Sequence, residues 1–83
     1  MTNDMSSKLE RVLRQHLRFL RAQDELSMSA ELQELGLDSM AAIDLVLGVE
    51  EAFGVQFPDE LLVPATFATP ASLLAVVATL TDR

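Results

Sequence analysis

Few residues in this chain could do chemistry, and the most suggestive pair is adjacent: Asp38 and Ser39. Asp38 suits a helix N-cap, because its carboxylate can accept from the unpaired N–H groups of a first turn. Ser39 then falls at the first helical position. A phosphate on its hydroxyl would sit where free N–H donors and the positive end of the helix dipole favour an anion. Gly36, two residues earlier, can supply a backbone conformation closed to other residues. Local physics therefore offers a site for a serine bearing a phosphate or a phosphodiester. Two blander readings stand beside it, a capping pair without function and a simple phosphorylation site.

Other chemistry has little to work with. The chain has no cysteine, which removes thiol nucleophiles and thiolate ligands and fits a reducing compartment. The single histidine, His16, lies within an apolar stripe and reads as a packed or half-exposed residue at the core edge. Ser39 lacks the Gly-x-Ser-x-Gly elbow and a preceding strand, and Asp38 with His16 makes no case for a triad. Calcium-loop spacing and Gly-rich phosphate loops are missing. No catalytic residue and no metal ligand is assigned, and the chain reads as not an enzyme.

The elements that must position Asp38 and Ser39 come from 83 residues, enough for one small domain whose stability rests on helix packing. Residues 1–6 read as a flexible N-terminal arm and residues 7–83 as the domain. Ser7 to Glu10 has the pattern of a capping box. Leu9, Val12, Leu13, Leu17 and Leu20 then recur at helical spacing, widened by Phe19, with bases on the opposite face. That face reads as solvated, the alternative being pairing with the acidic half of the chain or with a partner. Residues 23–37 form a long connection. Leu26, Met28, Leu32, Leu35 and Leu37 should pin it to the core, with a turn of helix near residues 30–34.

The second helix, residues 39–53, is the informative one. Ala42, Leu45, Val46, Val49 and Phe53 fall on one side. Met40, Ile43 and Leu47 fall nearly opposite, flanked by Asp44, Glu50 and Glu51. A bundle this small cannot bury both sides, so the second is read as an acid-rimmed docking strip. The blander reading has Met40 and Leu47 merely touching nearby loops. Gly48 lies mid-helix, which close approach of another backbone would justify. Gly54 suits the end of the helix. Pro58 keeps Phe57 extended, and short turns follow at residues 59–63 and 65–68, with Phe67 inward. Thr69-Pro70 reads as cap and first-turn proline. Leu73, Leu74, Val76, Val77 and Leu80 give the last helix its buried stripe. The fold expected is all-α: three main helices with a short helix before the last.

Net charge is −7, and eleven of the thirteen acids lie between Ala22 and Arg83, where no base occurs. That distribution excludes a nucleic-acid partner and suits partners with basic patches. Residues 61–81 are uncharged, but Pro64 and Pro70, with Thr66, Thr69, Ser72 and Thr79, argue against a membrane span. Residues 1–7 show no secretory signal. A cytoplasmic monomer is expected.

Leu35-Gly36-Leu37-Asp38-Ser39-Met40 resembles the attachment motif of the acyl and peptidyl carrier proteins. The resemblance continues through Asp44 to Gly54 and Phe57-Pro58-Asp59-Glu60. It implies 4'-phosphopantetheine, drawn from coenzyme A, on Ser39, with Asp38 as the preceding acid and an acyl or aminoacyl thioester as cargo. It implies that Met40, Ile43, Asp44, Leu47, Glu50 and Glu51 bind partners. Those partners would be a phosphopantetheinyl transferase, a loading enzyme (adenylating enzyme or acyltransferase) and a downstream synthase or transferase. Ala41 and Ala42 depart from the fatty-acid carriers, and Phe67-Ala68-Thr69-Pro70 is similar to peptidyl and polyketide carriers. The expectation is a discrete carrier of a polyketide or nonribosomal peptide pathway. The alternative is a non-covalent module that docks basic partners through helix two, with Ser39 only a helix-start residue.

Overall fold

The computed structural model describes residues 2–21 and 23–81. Three helices follow in chain order: α1 (Thr2–His16), α2 (Ser39–Phe53) and α3 (Pro70–Thr81), with a 3-10 turn (Asp59–Leu61) before α3. No strand occurs among the described residues. None of these helices is long and apolar enough to cross a membrane.

The helix α1 packs against both α2 and α3. Its stripe supplies Leu9, Val12 and Leu13 to a core completed by Leu17, Leu32, Leu37, Leu45, Val49, Phe57, Leu73, Val77 and Leu80. Full burial of one such side chain contributes about 1.5–3 kcal/mol. The core therefore draws on every helix and on both connections.

Two boundaries of α1 differ from the sequence expectation. The helix begins at Thr2, so Ser7 lies inside it and caps nothing. Met5 stands four residues before Leu9 and packs on the core, extending the stripe toward the N-terminus. Met1 lies outside the described residues. At the other end the helix stops at His16, before Leu17 and Leu20. There the Phe19 N–H donates to the Leu35 carbonyl at 3.0 Å, a tertiary partner that replaces the helical one. Leu17 still reaches the core, but Phe19 turns outward and is 68% exposed.

The basic face of α1 is more than solvated. The Arg14 guanidinium donates to the Glu10 carboxylate at 2.9 Å and to the carbonyls of Arg21 and Asp24, closing the turn after the helix. Lys8 Nζ donates to the Ala52 carbonyl at 3.0 Å and lies 5.2 Å from the Phe53 ring centroid. Such long side chains can cover apolar surface and cap carbonyls while their charge stays near water.

The connection from α1 to α2 is pinned as its leucines predict. Leu32 and Leu37 are buried, and Leu26 and Leu35 pack beside them. Met28 is the exception, 40% exposed. Its carbonyl instead accepts from Ala71 N–H, and the Ala68 carbonyl accepts from Leu32 N–H, both at 3.0 Å. These bonds tie the connection to the start of α3. That start is capped reciprocally: Ser72 N–H donates to Thr69 Oγ1 and Thr69 N–H to Ser72 Oγ, both at 3.1 Å. Pro70 opens the helix and is buried. Gly48 is explained by side chains rather than by a backbone. A Cβ there would stand 3.3 Å from both His16 Nε2 and Val12 Cγ1. His16 is half-buried against α2.

Candidate functional site

Ser39 is exposed at the first position of α2. Asp38 precedes it in extended conformation, φ −101° and ψ −176°, and its Oδ1 accepts from the Ala41 N–H at 2.8 Å. Its carbonyl accepts from Ala42 N–H, also at 2.8 Å. Among the described residues nothing accepts from the N–H groups of Ser39 and Met40. This is the unsatisfied donor set that a helix start leaves.

Asp38 has a second partner that its position in the sequence does not reveal. Its Oδ2 accepts from Arg18 Nη2 at 2.6 Å. The Ala41 N–H, joined by the charge and hydrogen bond of Arg18, holds the Asp38 carboxyl below its ordinary value. A carboxylate lowered in the folded state stabilises the fold above its unfolded pKa. That contribution fades as pH falls through the lowered one. Gly36 makes the pairing possible. Its φ is +103°, and a Cβ there would stand 3.0 Å from Arg18 N and 3.1 Å from Arg18 Cβ. A side chain would force the two ends of this connection apart.

The two sides of α2 differ in burial, with Ala42 and Val46 at the boundary between core and groove. Leu45 and Val49 are buried, and Ala42, Val46 and Phe53 lie half-buried beside them. Met40, Ile43 and Leu47 are 75%, 61% and 59% exposed. Asp44 and Glu51 are exposed with them. Glu50 differs from its neighbour. It is half-buried, and its Oε2 accepts from Phe57 N–H at 2.7 Å. Phe57 in turn stacks on Phe67, their centroids 6.2 Å apart. Glu50 thus braces the segment after α2 instead of standing free on a rim.

Beside Ser39 runs an open groove of about 570 Å³. Ile43, Val46 and Leu47 of α2 form one wall, and Leu62, Val63, Pro64 and Phe67 the other. Gln33, Asp38 and Ser39 are its polar residues. The groove, its far wall and Arg18 were all missed by the sequence reading. Leu62 and Val63 looked like part of a short turn, and nothing in the sequence around Arg18 names Asp38 as its tertiary partner.

A family profile described as a phosphopantetheine attachment site matches residues 7–77. An aminoacyl carrier protein of Agrobacterium fabrum (strain C58) is 46% identical over 46 residues, 55% of each chain. An acyl carrier protein homolog of Ureaplasma parvum is 44% identical over 36 residues, 43% of this chain and 47% of that one. The chain thus spans about half the length of the curated relatives it matches. One crystal structure holds an engineered Bradyrhizobium japonicum glycine:[carrier protein] ligase complexed with a carrier protein from Agrobacterium tumefaciens and ATP. A chain in it superposes with TM-score 0.81 at 32% identity, over 92% of this chain and 99% of that one. The corresponding complex with AMP gives 0.79 at 32% identity, over 88% and 97%.

The donor set around Ser39 fits the group that this family bears. An exposed hydroxyl can be esterified without disturbing the core, and two free N–H groups and the helix dipole suit an anion there. Asp38 and Ser39 would stand at the attachment point, and the groove walls would lie beside the origin of the arm.

Proposed function

This chain belongs to the phosphopantetheine-attachment family of carrier proteins, and we propose that it is a discrete aminoacyl carrier modified on Ser39. The observation that carries this reading is the placement of Ser39: exposed, first in α2, capped by Asp38 and open to a groove. Within a phosphopantetheinyl transferase, the Ser39 hydroxyl would attack the pantetheine-side phosphorus of coenzyme A and break its pyrophosphate P–O bond. A phosphorus–oxygen bond forms at Ser39 Oγ, adenosine 3',5'-bisphosphate leaves, and the hydroxyl proton passes to a base of the transferase. When bound, 4'-phosphopantetheine supplies a thiol on which an acyl or aminoacyl unit is held as a thioester. The chain itself then presents that arm and catalyses nothing.

Aminoacyl cargo is favoured by two similarities, to the Agrobacterium fabrum aminoacyl carrier and to the carrier seen with a glycine-activating ligase. An adenylating ligase is the loading enzyme this suggests, followed by a synthase or transferase of a nonribosomal peptide or polyketide pathway. Met40, Ile43, Asp44, Leu47 and Glu51 form the docking face in this reading, with Glu50 at its edge. An exposed apolar strip rimmed by carboxylates fits a partner with a basic rim and an apolar notch. The chain would act as a cytoplasmic monomer.

The test is intact mass after incubation with coenzyme A and a phosphopantetheinyl transferase. The protein should gain one phosphopantetheine, and a thiol reagent silent before conversion should report one equivalent, since the chain has no cysteine. Ser39→Ala should abolish both changes and keep its helix content. A wild-type chain that stays at its starting mass would leave a non-covalent docking module.

A further inference from the structure

We propose that Arg18 is the counter-cation of the phosphodiester on Ser39. This inference rests on the carrier reading and goes beyond it, because it assigns a positioning role to a residue outside α2 and outside the attachment motif.

Three observations carry it. The first is scarcity of positive charge. No base occurs between Ala22 and Arg83, whereas Glu31, Glu34, Asp38 and Asp44 lie within eight residues of Ser39. A phosphodiester at Ser39 therefore adds a negative charge next to the Asp38 carboxylate. The second is that Arg18 is already in place. Its Nη2 is 2.6 Å from Asp38 Oδ2, and both side chains are largely open to solvent, as Ser39 is. A guanidinium has five N–H donors in a rigid fork, and phosphate oxygens match that fork. The Asp38 bond takes one donor, and no other side-chain hydrogen bond of Arg18 occurs among the described residues.

The third observation is that the backbone of Arg18 is fixed. The contact with Gly36 and the bond from Phe19 N–H to the Leu35 carbonyl hold residues 18 and 19 against the segment leading into Ser39. The other Asp38 oxygen is held by Ala41 N–H. The carboxylate thus bridges guanidinium and helix start, leaving the rest of the fork for a neighbouring anion. An ordinary surface ion pair would need neither the glycine nor the close approach. In the modified protein, Arg18 offsets the repulsion between Asp38 and the phosphodiester and holds the root of the arm.

A thermodynamic cycle tests this: unfolding of the apo and modified forms of wild type and Arg18→Gln. Loss of the Asp38 pair affects both forms equally and cancels. At low salt, modification should lower the folding equilibrium constant of Arg18→Gln by about two- to five-fold relative to its effect on wild type, the size of an exposed ion pair. The difference should shrink in high salt. Equal responses of the two proteins would overturn the proposal and leave the carrier reading standing. A wild type that gains no mass at Ser39 would overturn both. A second measurement needs no variant. The side-chain nitrogen resonances of Arg18 should move on modification while those of exposed Arg11 stay in place. Unmoved Arg18 resonances with complete conversion would also overturn the assignment.

Discussion

Leu45 and Leu47 stand two residues apart on one helix, yet one is sealed in the core and the other is 59% exposed. Both faces of α2 are apolar, so hydrophobicity does not distinguish them. Their neighbours do. The Leu45 side meets α1, the pinned connection and Phe57. Ile43 and Leu47 on the other side line an open groove whose far wall is Leu62, Val63, Pro64 and Phe67. Glu50 and Glu51 repeat the contrast among the acids: one bonds to the backbone of Phe57 while the other faces solvent. The lesson is that α2 does two jobs with one composition. One stripe holds the fold, and the other stays exposed beside Ser39.

The sharpest way to break this comparison is at Leu45. Leu45→Ala should cost about 2–5 kcal/mol of stability through the cavity it leaves. Thermal unfolding reads this directly, and the loading rate per folded molecule should be little changed. Leu47→Ala should do the reverse. It should weaken the complex with the loading ligase by on the order of 2 kcal/mol if Leu47 is a desolvated anchor, and leave stability within about 0.5 kcal/mol. Calorimetric titration of the complex alongside thermal melts gives both numbers. If Leu47→Ala melts lower and Leu45→Ala loads more slowly, the faces have been assigned the wrong way round.

The acids sharpen the same contrast at smaller scale. Glu50→Ala removes the acceptor of Phe57 N–H and should cost about 1–2 kcal/mol of stability. Glu51→Ala should leave the melt unchanged. Its effect should appear in the association rate with the ligase and in the salt dependence of that rate, as expected of a rim charge. Stopped-flow association at two ionic strengths separates them. An equal fall in melting temperature for both variants would show that Glu51 is also a brace.

Much of the site was legible because its signals are local. Asp38 caps α2 as its position before Ser39 implies, Gly54 ends the helix with φ +66°, and Thr69 caps α3 ahead of Pro70. The stripes of α2 and α3 also fall where periodicity puts them. The misses are of another kind. Ser7 matched a capping box, but nothing in residues 2–6 breaks a helix, and Met5 prolonged the apolar stripe. Phe19 kept helical phase on paper, yet its N–H went to Leu35 instead. Arg18 is one base among several on a face that reads as solvated; pairing with the acidic half is the alternative, and the sequence does not single out Asp38 as the partner.

The sequence by itself determined where α2 and α3 start and where α2 ends, which faces are apolar, and which serine stands at a helix start. Caps and amphipathic period act across three or four residues, so the local chain contains the whole cause. The tertiary structure decided where α1 ends, that Arg18 meets Asp38 twenty residues away, that Glu50 turns to Phe57, and that a groove opens beside Ser39. Each of these depends on which segments can approach one another. Gly36 settles one such approach by having no Cβ in the space where the backbone of Arg18 must pass.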